Sequence, residues 1–336
     1  MRPTILDREQ LLRELPGARA GIFLKDLTTM HVGGIADAVY DAKTVGNLVQ
    51  AVVTAYRLGY PYKILGSGSN VVAADAGYAG LIIRNQTSTV VVLPDESVAI
   101  ADSGVTVARM LNEALTRDLG GMEYFAGLPG TVGGALYGNA ECWGHSVSEY
   151  LEQATLLLPA ESQTEPRLVS VEPDWFSFQY RSSKLKRMPD GPAKPIILTA
   201  RFKLRRRPKE AIMVLMKEYR DKRHELSQPI GSFCSGSFFR NPGGSSHTKA
   251  PLDPWETAGY LVDQAGGKKL KVGGAAVSKM HANFLTNLGS ASAADVKALA
   301  EEIKRQVETQ FGVKLQEEVE YLGDWEGARV GQTENP

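Results

Sequence analysis

The sequence predicts an α+β fold of more than one domain, on three observations. Helix-period and strand-like segments alternate over residues 45–84, and the pattern turns strand-rich over 90–204. A new run of helix and strand signals begins beyond Pro208. The length agrees, because 336 residues exceed one ordinary core and imply two or three domains.

The elements follow in order. Val45, Leu48, Val49, Val52 and Tyr56 recur at helical spacing, and Gly59 is placed to stop that helix. Residues 62–65 read as a strand, 66–70 as a tight turn and 81–84 as a further strand, which makes a strand–helix–strand unit. Strands are expected at 90–93 and 98–101, then a helix with Val107, Leu111 and Leu115 on one face. A glycine-rich stretch comes next, followed by strands near 156–158, 168–171 and 196–204. Pro208 breaks the pattern. A helix over 210–223 precedes a Gly/Ser/Pro-rich segment at 228–246. The last strong helix covers 293–310, with Val296, Leu299, Ile303 and Val307 on one face and Ser292 and Asp295 at capping spacing. A strand over 313–322 closes the fold, and the polar tail 327–336 is expected to be mobile.

Composition excludes several classes. Lys plus Arg and Asp plus Glu are both 38, so the formal net charge is zero; a nucleic-acid binder usually carries a basic excess. The cluster Arg205-Arg206-Arg207 reads as a solvated strand end. The N-terminal segment is polar and lacks the apolar core of a secretory signal. No apolar run reaches the ~18 residues of a membrane span. Cys142 and Cys234 lie far apart with no CxxC pair, so neither a disulfide framework nor a zinc site is suggested, and a cytoplasmic location is expected. The five histidines are scattered without HExxH, and no metal is expected.

Two glycine-rich segments are candidate phosphate cradles: Gly66-Ser67-Gly68-Ser69-Asn70, and Gly127-Leu128-Pro129-Gly130-Thr131-Val132-Gly133-Gly134. Glycine lets successive backbone N–H groups approach an anion. Val71 stands where GxGxxG needs its third glycine, and the P-loop and GxSxG patterns are absent. Each loop alone reads more readily as a structural turn than as a ligand site. Together, one in each of two successive units, they suit a long ligand with a pyrophosphate held between them.

Several motifs carry a resemblance. Thr28-Thr29-Met30-His31-Val32-Gly33-Gly34, ILGSGSN at 64–70 and AGLPGTVGGALYGNA at 126–140 are similar to the FAD-binding half of the UDP-N-acetylenolpyruvoylglucosamine reductase family. They also resemble the wider vanillyl-alcohol oxidase group. Further segments separate the two. Tyr180-Arg181-Ser182-Ser183 resembles the family's YR(D/E/S)S segment, Ser235-Gly236-Ser237-Phe238-Phe239-Arg240-Asn241-Pro242 its GSxF(K/R)NP segment, and Leu315-Gln316-Glu317-Glu318-Val319 its LxxEV ending. Gly273–Val277 and His281-Ala282-Asn283-Phe284 also match. The resemblance spans about 25–323. The short stretch between Arg207 and Ser237 looks like the compact family form, without an extra tyrosine-bearing loop. Glu317 departs from the proline frequent there; alignment on Val319 selects Glu318.

The resemblance implies a two-part FAD-binding module plus a C-terminal α+β substrate-binding domain. The implied division is 1–85, 86–206 and 207–325, with a tail at 326–336. It implies NADPH as hydride donor, a UDP-sugar substrate and a monomer, with neither nucleic acid nor membrane as partner. Among site residues it implies Gly66, Ser67, Gly68, Ser69, Asn70, Gly127, Pro129, Gly130, Thr131, Gly133 and Gly134 for FAD. Arg181, Ser237 as proton donor and Glu318 are the implied catalytic set. Tyr180, Arg223, Arg240, Asn241 and His281 are candidates for substrate, with Lys222 a further cation near the diphosphate. A guanidinium suits a carboxylate because its donors form a planar fork with fixed charge. A hydroxyl can protonate a strongly basic enolate-like carbon within its reach. Strand alternation puts Glu318 and Glu320 on one face and Glu317 on the other. Two rivals remain: a flavin oxidase of the same cofactor fold, and a non-catalytic sugar-nucleotide binder.

Overall fold

The computed structural model describes residues 5–158, 166–191, 194–225, 233–244 and 252–325. The tail beyond 325 and parts of the 228–246 segment lie outside the described residues. The fold is α+β, with three main sheets.

The first sheet sets Ile35–Ala42, Tyr78–Asn85 and Tyr62–Leu65 parallel, with the short strand Ile22–Phe23 antiparallel at its edge. Between Ile35–Ala42 and Tyr62–Leu65 runs the helix Val45–Arg57. Thr44 caps it by accepting the Asn47 N–H, and Leu48, Ala51, Val52 and Ala55 turn inward. Gly59 follows its end at φ +62°, a left-handed position suited to glycine. Leu157, Ile196 and Leu198 from the second sheet complete this core, so the first two units are packed as one mass.

The second sheet is wholly antiparallel, in the order Arg167–Val171, Leu151–Leu158, Ile196–Lys203, Val98–Asp102, Val90–Leu93. The helix Val107–Leu115 and the buried Phe125, Phe176 and Phe202 fill its core. The helix Lys209–Glu225 puts Ile212 and Met216 into this same core.

The third sheet, Phe233–Cys234, Leu285–Asn287, Ala275–Val277 and Lys271–Val272, is antiparallel and packs against the helix Ala293–Phe311. Val296, Leu299, Ile303 and Val307 are buried, the Ser292–Asp295 capping box is formed, and Gly312 ends the helix at φ +70°. The strand expected over 313–322 is a correction. Only Glu320–Leu322 forms a ladder, and it lies parallel to Val71–Ala73 of the first unit. Just before it, Glu317 makes an isolated antiparallel bridge with Phe239. The segment's backbone is shared between partners from two units, so no continuous ladder forms. No helix among the described residues is long and apolar enough to cross a membrane.

Candidate active site

The two glycine loops meet. Gly68 sits at φ +64°, and a Cβ there would fall 2.3 Å from the Leu27 carbonyl oxygen. A Cβ on Gly66 would lie 2.7 Å from Thr131 Oγ1, and one on Gly130 3.3 Å from Ser69 Oγ. The Ser69 hydroxyl donates to the Pro129 carbonyl at 3.5 Å. Glycine is therefore required here for backbone approach as well as for turning.

Between the loops lies a cleft of about 460 Å³, lined in part by Thr29, Gly66, Ser67, Asn85, Thr106 and Thr131. Among the described residues, the backbone N–H groups of Ser67, Gly68 and Ser69 donate to no protein acceptor. Thr28 Oγ1 is buried without a partner. Unspent donors on a concave backbone fit a pyrophosphate, and the donor set fits a dinucleotide cofactor. Not every predicted loop residue serves in this way. The Gly133 N–H is taken by the Ser103 carbonyl at 2.8 Å and the Gly134 N–H by Thr131 Oγ1 at 3.2 Å. Gly127, at φ +79°, packs beside Arg223 and Arg220. Asn70 turns toward the C-terminal segment: its Nδ2 donates to the Glu318 carbonyl at 3.2 Å.

Arg181 lies in a tight turn in which Gln179 and Ser182 exchange backbone hydrogen bonds. Its φ is +52°, a conformation that costs a non-glycine residue roughly 1–2 kcal/mol. The turn is braced on both sides. Asn139 Nδ2 donates to the Gln179 carbonyl at 3.0 Å, and the Ser183 hydroxyl donates to the Tyr137 carbonyl at 2.7 Å. Ser183 also caps the short helix Lys184–Arg187. This bracing aims the guanidinium at Glu318, whose carboxylate lies 3.1 Å from Nη1. Burial works against the charge of Arg181, but the carboxylate of Glu318 holds its pKa above the ordinary value. The Arg181 Nε is buried with no partner among the described residues.

The Ser237 segment approaches from the third unit. Phe238 and Phe239 are buried anchors. Asn283 grips them through its carbonyl, which accepts the Phe238 N–H at 2.8 Å, and through its side chain, which bonds both polar groups of Phe239. The Phe238 carbonyl accepts the Glu318 N–H at 2.8 Å, and the Gln316 carbonyl accepts the Arg240 N–H at 2.8 Å. Ser237 is thus one residue from a direct backbone link to Glu318. Its hydroxyl makes no hydrogen bond among the described residues. Glu318 and Glu320 face Arg181 and Lys186, while Glu317 faces Lys304 at 3.5 Å. The alternation expected from the sequence holds although the strand is short.

The candidates for substrate divide. The Tyr180 hydroxyl accepts the Asn241 N–H at 3.4 Å, and burial raises the Tyr180 pKa against the opposing pull of Arg181. Arg240 Nε is buried and unpartnered among the described residues. These three lie with the Arg181 turn and the Ser237 segment. Arg223 sits apart, buried, donating to the Ala126 carbonyl at 2.9 Å and to Cys142 Sγ at 3.0 Å. It fastens its helix to the second unit. Lys222 pairs with Glu218 on the helix surface at 2.7 Å. His281 Nδ1 accepts the Asn283 N–H at 3.2 Å, and so supports the residue that holds Phe239. Asn283 lay within a matched motif without a role, and Lys186 was not foreseen; both act on main-chain atoms distant in sequence.

The paired loops and the open cleft between them define a class, that of proteins built to hold a dinucleotide cofactor. Residues 36–165 match the family described as FAD binding domain. Residues 228–322 match the one described as UDP-N-acetylenolpyruvoylglucosamine reductase, C-terminal domain. A curated relative of that name from Bacillus velezensis is 33% identical over 94% of this chain and 99% of its own. One from Bacillus subtilis is 33% identical over 93% of this chain and 96% of its own. The crystal structure of a UDP-N-acetylenolpyruvylglucosamine reductase from Thermus caldophilus superposes with a TM-score of 0.70 at 30% identity, covering 91% of this chain and 99% of that one. The chain belongs to the UDP-N-acetylenolpyruvoylglucosamine reductase family.

Proposed function

We propose that the protein reduces the enolpyruvyl ether of UDP-N-acetylglucosamine to UDP-N-acetylmuramate, a step in peptidoglycan precursor synthesis, with NADPH as reductant. FAD, when bound, would supply the hydride chemistry between NADPH and the terminal carbon of the enolpyruvyl group. The loop residues 66–69 and 127–131 would hold its pyrophosphate region. The chain's own groups do the rest. Arg181 keeps an unpartnered Nε for the substrate carboxylate, and its value lies in gripping the enolate form more strongly than the ground state. Ser237, whose hydroxyl is uncommitted, gives its proton to the adjacent carbon. Glu318 holds the guanidinium in place and orients the enolic species. Tyr180, Arg240 and Asn241, which lie with the Arg181 turn and the Ser237 segment, would serve the substrate.

The observation that carries this reading is the Arg181–Glu318 pair at 3.1 Å, held beside the Ser237 segment by the Glu318–Phe238 hydrogen bond. An oxidase of the same cofactor fold has no need of that set. We place the functional division at 1–85, 86–206 and 207–325, with the helix Lys209–Glu225 acting as an arm fastened to the second unit through Arg223. A cytoplasmic monomer fits the reading. The test is direct. The purified chain should carry yellow flavin and, without oxygen, consume NADPH beyond one equivalent per flavin only when the enolpyruvyl sugar nucleotide is present. Ser237→Ala should leave flavin reduction by NADPH intact and abolish turnover of the sugar substrate. Equal loss of both half-reactions would remove Ser237 from the proton-donor role.

A further inference from the structure

We infer that Lys186 is a positioning residue for Glu318, acting through a grip on the Glu318 main chain that it shares with Asn70; the inference rests on the reaction proposed above. Lys186 lies in the short helix Lys184–Arg187, which directly follows the Arg181 turn. Its side chain is only 11% exposed, and its ammonium pairs with Glu320 at 2.7 Å. The same ammonium donates to the Glu318 carbonyl at 3.2 Å. Asn70 Nδ2 reaches that carbonyl from the first unit at 3.2 Å, while the Glu318 N–H is held by Phe238 of the third. One residue's main chain is therefore grasped from all three units, and Lys186 is the grasp from the second.

The plain alternative is an ordinary surface ion pair. Glu320 is 39% exposed, and such pairs contribute little on their own. The carbonyl contact is what that account leaves out. A lysine gives up rotamer freedom to hold one geometry, and here the geometry serves a main-chain atom next to the reacting groups. It also answers a problem posed by Arg181. A substrate carboxylate at the unpartnered Nε draws on the same guanidinium charge as Glu318 at Nη1, so the side-chain link between them weakens when substrate binds. The Lys186–carbonyl link does not pass through the Arg181 guanidinium. It keeps Glu318 registered against the Arg181 turn while the guanidinium turns to the substrate. Small displacements of reacting groups are costly in rate.

The experiment uses the full flavin-loaded chain and measures the two half-reactions separately by rapid mixing. With Lys186→Met, flavin reduction by NADPH should stay within about twofold. Reoxidation by the enolpyruvyl sugar nucleotide should slow about tenfold or more at saturating substrate, with little change in KM. Lys186→Arg should recover most of the rate, and Glu320→Gln should stay within about twofold, because the exposed pair is secondary. Independently of turnover, amide hydrogen exchange over residues 316–322 should accelerate in Lys186→Met and stay unchanged over 293–311. Equal slowing of both half-reactions, an unchanged reoxidation rate, or no recovery with arginine would each overturn the inference. If Lys186→Met does not retain flavin, Lys186→Leu, which likewise removes the donor to the carbonyl, is read for the same split. A wild-type chain that fails to oxidise NADPH with the sugar substrate would overturn the proposed reaction instead. Unchanged exchange over 316–322 would overturn the role of Lys186 whatever the turnover.

Discussion

Replacing Asn283 with alanine should be among the most destabilising single changes near the site. Its side chain is a buried clamp: Oδ1 accepts the Phe239 N–H at 2.9 Å, and Nδ2 donates to the Phe239 carbonyl at 2.8 Å. Phe239 is 1% exposed, so water cannot replace these bonds unless the segment opens. Each buried polar group left unsatisfied costs about 1–3 kcal/mol, which sets the expected loss at roughly 2–5 kcal/mol. At about 2–4 °C per kcal/mol for a large domain, thermal unfolding should shift down by about 4–20 °C. Asn283→Asp keeps an acceptor for the N–H but sets a carboxylate oxygen against the Phe239 carbonyl, so it should do no better than alanine. Because the clamp also fixes the Ser237 segment, reoxidation of reduced flavin by the sugar substrate should slow while reduction by NADPH holds. A fall in melting temperature below about 2 °C in both variants would refute the argument, since it would mean that the ladder to Phe239 is not what holds the segment.

Three further outcomes follow from the same geometry. Gly68→Ala sets a Cβ 2.3 Å from the Leu27 carbonyl at a left-handed φ, and the purified variant should lose bound flavin; Gly138→Ala, with nothing within 4 Å, is the control and should keep it. Asp75 accepts the Ala293 and Ala294 N–H groups at 2.8 and 3.0 Å, capping a helix of the third unit from the first, so Asp75→Ala should lower stability by about 1–2 kcal/mol in a denaturant titration and Asp75→Asn by less. For His281, burial and then nearby Lys268 depress the pKa, so the folded state favours the neutral ring. Its contribution is complete above the unfolded value of about 6.5 and is lost as pH falls below that toward the lower folded value. Melting temperature should therefore drop more steeply from pH 7 to 5 in wild type than in His281→Gln, and parallel curves would exclude the ring as the cause.

How much was legible in the sequence depends on the kind of signal each residue carries. The helices over Val45–Arg57 and Ala293–Phe311 bury one stripe each, and that stripe is visible as a 3.6-residue period with caps at the ends. The glycine loops were legible as candidates, because their composition suits a turn and an anion alike. What decided between the two was contact between them, and contact is not a local property. Arg223 shows the opposite limit. As a cation near the Ser237 motif it read as a substrate ligand. The structure spends it on Ala126 and Cys142, whose nearness follows from the way its helix packs on the second unit.

The C-terminal segment shows why the remainder was hidden. Residues 313–322 carry a strand-like pattern, yet their backbone partners are Phe238 and Arg240 on one side and Asn70 and Ala74 on the other. A period-2 pattern reports which side chains face inward; it does not report whose carbonyls receive the N–H groups. The side-chain half of the pattern therefore survived, with Glu318 and Glu320 directed to the cations of the second unit and Glu317 away from them. The ladder did not survive. A continuous strand within the third unit would bond the Glu318 carbonyl to a neighbouring strand. Broken as it is, the segment leaves that carbonyl to Asn70 and Lys186. The glutamate is then held between the glycine loop and the Arg181 turn, with its carboxylate 3.1 Å from the guanidinium that it keeps charged and in place.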